Sequence, residues 1–344
     1  MKAYNNLFEK VCSFDNLHLA YLRCRKNKRY KKDVLLFSFN LEDNLLEIKK
    51  ELKTLSYKHG KYREFVVEDS KKRLIKAPLL KDRIVHNAIC IIIEPIFEKT
   101  FISNSFACRK GKGTHKAIKE LKRKLKDKDD KYCYKEDISK YFKSIDRSIL
   151  FDLIKKKIKD QKLLFLIREI IRSDNYIENK GIPIGNLTSQ LFANIYLDQL
   201  DCFVKNTLKN KIYFRYMDDF LLIGNKKEMK KSAERIRCFL FNKTKLLINP
   251  KKDNVFPINK GIDFLGYIVF SKYILLRKDT IRRFLDKAKK EELEKAFFGY
   301  AKHANSYFLR RDIRKNLTFF PSLFKRESQS HNSTKPLKMG FAIY

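Results

Sequence analysis

The sequence predicts an α+β chain with antiparallel sheet and a helical C-terminal part. Three observations carry this. Tyr213 to Gly224 reads YFRYMDDFLLIG, two short apolar strands joined by an acidic turn. Other strand patterns also arrive as adjacent pairs: Tyr62–Val67 with Arg73–Ala77, and FLGYIVF (264–270) with YILLR (273–277). Helical spacing fills much of the rest, beginning with Leu7, Val11, Phe14, Leu17 and Tyr21.

In chain order, residues 5–24 read as one amphipathic helix. The basic stretch RCRKNKRYKK (23–32) is a solvated loop or an arm on a polyanion backbone. A second helix covers 41–56, followed by the first strand pair. Ile84, Ala88, Ile91 and Ile92 suit a buried helix that ends before Pro95, because proline lacks the N–H and clashes with the preceding turn. SFACRKGKGTHKAI crosses a glycine-containing loop into a helix at about Thr114, and 119–131 give an exposed helix and loop. Tyr132–Ile138 is a strand, and helices follow over Arg147–Lys157 and Lys162–Arg172. GIPIGNLTSQ is a loop opening a helix over Ser189–Asn206. After the acidic hairpin come a basic helix (226–243), a strand (Leu246–Ile248), the second strand pair, and helix from Asp279 to about Leu317. Residues 326–337 are polar and loose.

A chain of 344 residues holds two or three compact units. Its 78 Lys+Arg against 40 Asp+Glu give a net charge of +38, far beyond what solubility needs. The expected partner is a polyanion, nucleic acid before an anionic membrane surface. The apolar run Ile89–Ile93 is too short to span a bilayer, and the start, MKAYNNLFEKVCSF, has no apolar secretory core. Seven scattered cysteines, an odd count without CxxC, argue against a disulfide framework or zinc site, and a reduced, cytoplasmic protein is expected.

Asp218 and Asp219 fall where the turn of the hairpin belongs, at one end of a sheet. Adjacent carboxylates repel, and a hard all-oxygen site suits Mg²⁺ or Mn²⁺. A solvated acidic turn is the alternative, as Asp129-Asp130 illustrates within a charged run. Asp137 ends the strand in YCYKEDISKYF; alone it would read as a helix cap. Together, strand–acid, helix, then strand–Asp-Asp–strand is the arrangement of a polymerase palm. There, carboxylates converging from separate strands hold two ions about 3.5–4 Å apart.

The ordered motifs resemble those of reverse transcriptases over roughly residues 55–277. DISKYFKSI resembles motif A, GIPIGNLTSQLFANIYL motif B, RYMDDFLLI the Tyr-x-Asp-Asp motif C, LLINPKKDN motif D and FLGY the primer-grip motif E. KRLIKAPLLKDRIVH and SFACRKGKGTHKAI resemble the fingers motifs. The resemblance implies a right-hand polymerase with two Mg²⁺ ions (Mn²⁺ as substitute) and dNTP substrates. It divides the chain into an N-terminal region and fingers (1–130), a palm (131–270, with a fingers insertion around 150–180), a helical thumb (271–325) and a polar tail (326–344). It makes Asp137 and Asp218 ligands of both metals, assisted by Asp219, with the Ile138 carbonyl on the nucleotide-side ion. Arg73 and Arg83, on fingers strands, would grip the triphosphate, with Lys72 and Lys76 as unranked neighbours. Phe142 occupies the steric-gate position that excludes a ribose 2′-OH. Ile184, Gly185 and Gln190 would line the nascent base pair. Lys252, beside Lys251, would protonate the leaving pyrophosphate. Phe264, Leu265, Gly266 and Tyr267 would form the primer grip.

Motif B departs from the commonest pattern, which has Gln before the Gly and Ser-Pro further on. Here Ile184 precedes Gly185, and Thr188-Ser189-Gln190 follows. This variant most resembles the enzymes of diversity-generating retroelements, which copy a template-repeat RNA with errors at template adenines. The altered cDNA then replaces a variable repeat in a target gene. Ile184 removes a polar amide beside the base pair, and polar discrimination exceeds that of shape alone. The resemblance implies a template RNA, an RNA–DNA duplex and a small accessory protein as partners. A reverse transcriptase of another bacterial lineage (antiphage defence or retron-like) and an RNA-binding cofactor with a dead palm are the rivals.

Overall fold

A computed structural model describes residues 3–68, 72–174, 179–249, 255–287, 297–307 and 309–311. The single helix expected over 5–24 is two helices, α1 (Phe8–Val11) and α2 (Phe14–Arg25). The break is at Ser13, whose Oγ accepts the Asn16 N–H at 3.3 Å as an N-cap, a preference that overrides the continuous apolar spacing. Helix α3 (Lys32–Phe39) follows the basic stretch, and α4 (Leu41–Lys53) buries Leu45, Ile48 and Leu52 at helical spacing. Strands β1 (Arg63–Glu68) and β2 (Lys72–Ala77) form a separate antiparallel hairpin.

Helix α5 (Leu80–Glu98) packs along α2 and corrects the expected stop before Pro95: the helix runs through it. A helix-interior proline costs about 3 kcal/mol. The turn beyond it buries Ile96 and Phe97, each contributing about 1.5–3 kcal/mol, which offsets that cost. Next, α6 (Thr114–Leu125) buries Ala117, Ile118, Leu121 and Leu125 and exposes Lys116, Lys119 and Arg123.

Strand β3 (Tyr132–Asp137) leads into the short α7 (Tyr141–Ser144), then α8 (Arg147–Lys155) and α9 (Gln161–Arg172), capped by Asp146 and Asp160. Helix α10 (Leu187–Cys202) precedes β4 (Ile212–Tyr216) and β5 (Asp219–Gly224), and α11 (Lys226–Thr244) follows. The central antiparallel sheet has the order β4-β5-β3-β6, where β6 (Val255–Pro257) was not anticipated. The strand expected at Leu246–Ile248 is only a single bridge, Ile138 to Ile248.

Alternation with period two divides this sheet between two cores. Tyr134, Tyr213, Phe220 and Leu222 face the larger one, shared with α5 and α10. Cys133, Phe214, Leu221 and Ile223 face the smaller one, shared with α6 and a second sheet, β7 (Ile262–Phe264), β8 (Tyr267–Val269) and β9 (Ile274–Leu276). FLGYIVF is therefore not one strand. Leu265 and Gly266 take φ of 53° and 86° and turn the chain between β7 and β8.

Helix α12 (Lys278–Lys287) and helical residues 297–301 begin the expected C-terminal helical part. Residues 312–344, including the polar tail, lie outside the described residues. The α+β class with antiparallel sheets is borne out. All seven cysteines are free, and Cys12, Cys24, Cys90 and Cys133 are buried. Among the described residues, no helix is long and apolar enough to cross a membrane.

Candidate active site

Strands β4 and β5 are joined by Met217 and Asp218, with Tyr216 paired to Asp219. Only Asp218 thus sits in the turn; Asp219 opens β5, a correction to the expected placement of both. Asp219 pairs in turn with Asp137 at the end of β3, so the three acids meet at one end of the sheet. Alternation puts Asp137 and Asp219 on the same face as Lys135, the face of the smaller core.

The turn is strained. Met217 has φ 57°, which costs a non-glycine residue about 1–2 kcal/mol. Arg215, fully buried, holds it: its Nη1 donates to the Met217 carbonyl at 3.1 Å and to Asn194 Oδ1 at 3.0 Å. Its Nε and Nη2 fork onto Asp201 at 2.7 and 2.6 Å, and the Tyr213 hydroxyl donates to the same carboxylate at 2.7 Å. The glycine-containing loop docks beside this network, with the Asn104 carbonyl accepting the Arg215 N–H and the Arg215 carbonyl accepting the Phe106 N–H, both at 3.0 Å.

Burial pushes the Asp218 carboxyl up to about 6, helped by the neighbouring Asp137 and opposed by Arg73. Burial likewise pushes Asp219 up to about 7; Lys135 opposes this, while Asp137 and Asp218 add to it. Lys135 Nζ lies 3.3 Å from Asp219 Oδ2 and 6.0 Å from the Phe264 ring centre.

The donor set fits a hard divalent cation. Asp137 lies close enough to Asp218 to raise its carboxyl, and Asp219 Oδ1 is a buried acceptor without a hydrogen-bond partner among the described residues. Such an orphan costs about 1–3 kcal/mol, which a cation would relieve. Among the described residues, no group of three or more His, Cys, Asp or Glu side chains is gathered closely enough to hold a metal. The second oxygen of Asp219 is engaged by Lys135. The Ile138–Ile248 bridge uses the carbonyls of Asp137 and Leu247 rather than that of Ile138.

Around the acids, Arg73 is exposed on β2. Arg83 is on α5, not a fingers strand, because the chain turns helical at Leu80; its Nη2 donates to Asp33 at 2.7 Å. Lys76 Nζ pairs with Asp174 at 2.5 Å and Glu64 at 3.3 Å. Phe142, half-buried on α7, lends its carbonyl to the Ile182 N–H at 2.9 Å, tying α7 to the loop before α10. Gln190 is half-buried in α10. Lys251 and Lys252 lie outside the described residues. Phe264 and Tyr267 are buried at the ends of β7 and β8, flanking the Leu265-Gly266 turn.

Ile184 and Gly185 lie against β2, with the Lys76 N–H donating to the Ile184 carbonyl at 2.9 Å. Gly185 has φ 133°, and a Cβ there would stand 2.5 Å from the Lys76 carbonyl oxygen. Gly185→Ala is therefore expected to cost about 2–4 kcal/mol by combining backbone strain with a backbone clash. Urea denaturation measures it; a loss below about 1 kcal/mol would mean the loop can withdraw from β2 freely.

Lys135, Arg215, Asp201 and Asn194 escaped the sequence reading. Arg215 had a signal, a charge inside an apolar strand next to the acids. The other three reach the site through pairing across strands and helices.

The family model described as reverse transcriptase (RNA-dependent DNA polymerase) matches residues 57–269. Protein YkfC of Escherichia coli is 26% identical over 59% of this chain and 65% of its own length. The group II intron-encoded protein LtrA of Lactococcus lactis is 26% identical over 82% of this chain and 59% of its own. The chain thus spans about three fifths to two thirds of the length of these relatives. A solved structure of telomerase from Candida albicans, in complex with a fragment of telomeric RNA, is 12% identical with a TM-score of 0.46, covering 65% of this chain and 48% of that one.

Proposed function

The chain belongs to the reverse transcriptase (RNA-dependent DNA polymerase) family, and from that membership we propose that it copies a template RNA into cDNA by metal-assisted nucleotidyl transfer. The observation that carries this reading is the convergence of Asp137, Asp218 and Asp219 from β3 and the β4–β5 hairpin. Two divalent ions, when bound there, would activate the attacking primer hydroxyl and stabilise the leaving pyrophosphate. Asp137 and Asp218 would be the primary ligands, with the Ile138 carbonyl beside them, and Asp219 would assist.

Arg73 meets the triphosphate, since guanidinium forks onto phosphate oxygens. Arg83 reaches it only by giving up Asp33. The Phe142 ring excludes a ribose 2′-OH and so selects dNTPs. Ile184, Gly185 and Gln190 flank the nascent base pair. Lys252 supplies a proton to pyrophosphate. Phe264, Leu265, Gly266 and Tyr267 position the primer. Residues 1–130 then form the N-terminal region and fingers, 131–270 the palm with a fingers insertion around 150–180, and 271–325 the thumb.

The finer assignment is to an error-prone enzyme of a diversity-generating retroelement, served by a small accessory protein. Ile184 in place of a polar amide and the Thr188-Ser189-Gln190 variant support it. The similarity to LtrA, a group II intron-encoded protein, over most of this chain favours a second reading, a reverse transcriptase of another bacterial lineage, intron-encoded.

Primer extension on a mixed-sequence RNA with Mg²⁺ and dNTPs, followed by cDNA sequencing, tests these readings. Errors clustered opposite template adenines support the retroelement; faithful cDNA keeps the polymerase and supports another bacterial lineage. No cDNA, with neighbouring gene products added, overturns the activity. RNA affinity should fall steeply with salt as basic side chains displace counterions, on the order of 10³-fold between 50 and 200 mM if about six phosphates are contacted. A flat response would rule out a phosphate-backbone interface.

A further inference from the structure

The Leu265-Gly266 turn is held by the chain that follows it. In an ordinary two-residue hairpin the turn carbonyls meet water. Here the Gly266 carbonyl accepts the Arg277 N–H at 3.0 Å and the Thr280 hydroxyl at 3.3 Å. The Leu265 carbonyl accepts the Tyr300 hydroxyl. Tyr300 is locked in turn: its ring stacks on Tyr267 at 4.5 Å and 18°, and its own carbonyl accepts the Tyr267 hydroxyl at 2.9 Å. Gly266 is the residue that admits this arrangement, because a Cβ there would stand 2.7 Å from the Tyr300 hydroxyl.

The segment carrying Tyr300 is itself anchored. Phe297 and Ala301 are buried in the smaller core, and Asn305 exchanges two hydrogen bonds with Ile274, at 2.8 and 2.9 Å. His303 stacks on His115 of α6 at 3.8 Å, and the His115 ring meets Tyr300 edge-on at 5.5 Å. The turn, α12, the 297–306 segment and the start of α6 therefore share one aromatic junction centred on Tyr300.

We propose that Tyr300 is a positioning residue for the primer terminus. Its hydroxyl makes the Leu265-Gly266 turn a rigid extension of the thumb, so nucleic acid gripped by the thumb fixes where the primer 3′ end lies. This deepens the polymerase reading and rests on it.

Tyr300→Phe in the full chain is the test, since it keeps the stacked ring and removes only the hydroxyl. The KM for primed RNA should rise about fivefold, with kcat and the KM for dNTP unchanged and the melting temperature lowered by no more than about 2–4 °C, the share of one internal hydrogen bond. Anisotropy of a labelled primed RNA should show the same rise in Kd. Tyr267→Phe, which spares the Tyr300 hydroxyl, should shift both less. Unchanged primer KM and Kd in Tyr300→Phe would overturn the proposal, as would a joint fall in kcat and melting temperature with primer KM constant, which marks a purely structural role. If the unaltered protein binds primed RNA but never extends it, the polymerase reading fails, and the anisotropy comparison alone decides whether Tyr300 governs primer binding.

Discussion

Asp218→Asn is expected to abolish cDNA synthesis, by on the order of 10³-fold or more, while making the metal-free protein more stable at pH 8. The activity loss follows from the proposed role of Asp218, since losing a metal ligand forfeits several kcal/mol of metal-borne charge stabilisation. The stability gain follows from proton linkage. Asp218 titrates at about 6 and Asp219 at about 7 in the folded chain, both above the unfolded carboxylate value near ~4. The folded state therefore holds more protons than the unfolded one between those values. The stabilisation from these groups is complete below about pH 4 and is lost as pH rises through 6 and 7. At pH 8 in chelator the two carboxylates are charged, half-buried and close together. Removing one charge should return about 1–3 kcal/mol. Thermal melts at pH 5 and 8 with EDTA measure this: the variant should gain at pH 8 and little at pH 5. Millimolar Mg²⁺ should raise the melting temperature of the unaltered protein at pH 8 and leave that of Asp218→Asn nearly still. A variant no more stable than the parent at pH 8 would show that the acids are better solvated than their burial implies.

Local pattern made the core of the site legible. Two apolar runs around Asp218-Asp219 and one ending at Asp137 are strands whatever surrounds them, and pairing them brings the acids together. What stayed hidden depends on groups distant in sequence. Nothing in YCYKED marks Lys135 as the partner of Asp219, because that contact exists only once β3 and β5 are in register. Gly185 reads as a loop glycine until β2 is laid against it. FLGYIVF reads as one strand because a single glycine is a weak turn signal; the turn also needs Leu265 at positive φ, which the capping from Tyr300 helps to hold. Pro95 misled in the other direction, since a local rule against helix yielded to the burial of Ile96 and Phe97.

The Arg215–Asp201 pair carries the largest expected effect on stability. Both side chains are fully buried, and Arg215 stays charged when its partner is neutralised. Asp201→Asn should therefore cost about 3–5 kcal/mol, most of it the price of a guanidinium stranded without a countercharge. Urea denaturation would measure it, and a loss under about 1 kcal/mol would mean water reaches Arg215. Stability does not require an ion pair at this position, however. Replacing it with apolar residues of similar size, as in Arg215→Met with Asp201→Leu and Tyr213→Phe, should recover most of the lost stability, because buried ion pairs are often matched by well-packed apolar ones. Activity should not recover with it. Arg215 also donates to the Met217 carbonyl, and Met217 holds the left-handed conformation that places Asp218 beside Asp137. With that donor gone the turn can relax, and extension should stay at least about tenfold below the parent. A triple variant that folds well and extends primers normally would show that the sheet register alone sets the acids, and that the buried charge serves nothing but the fold.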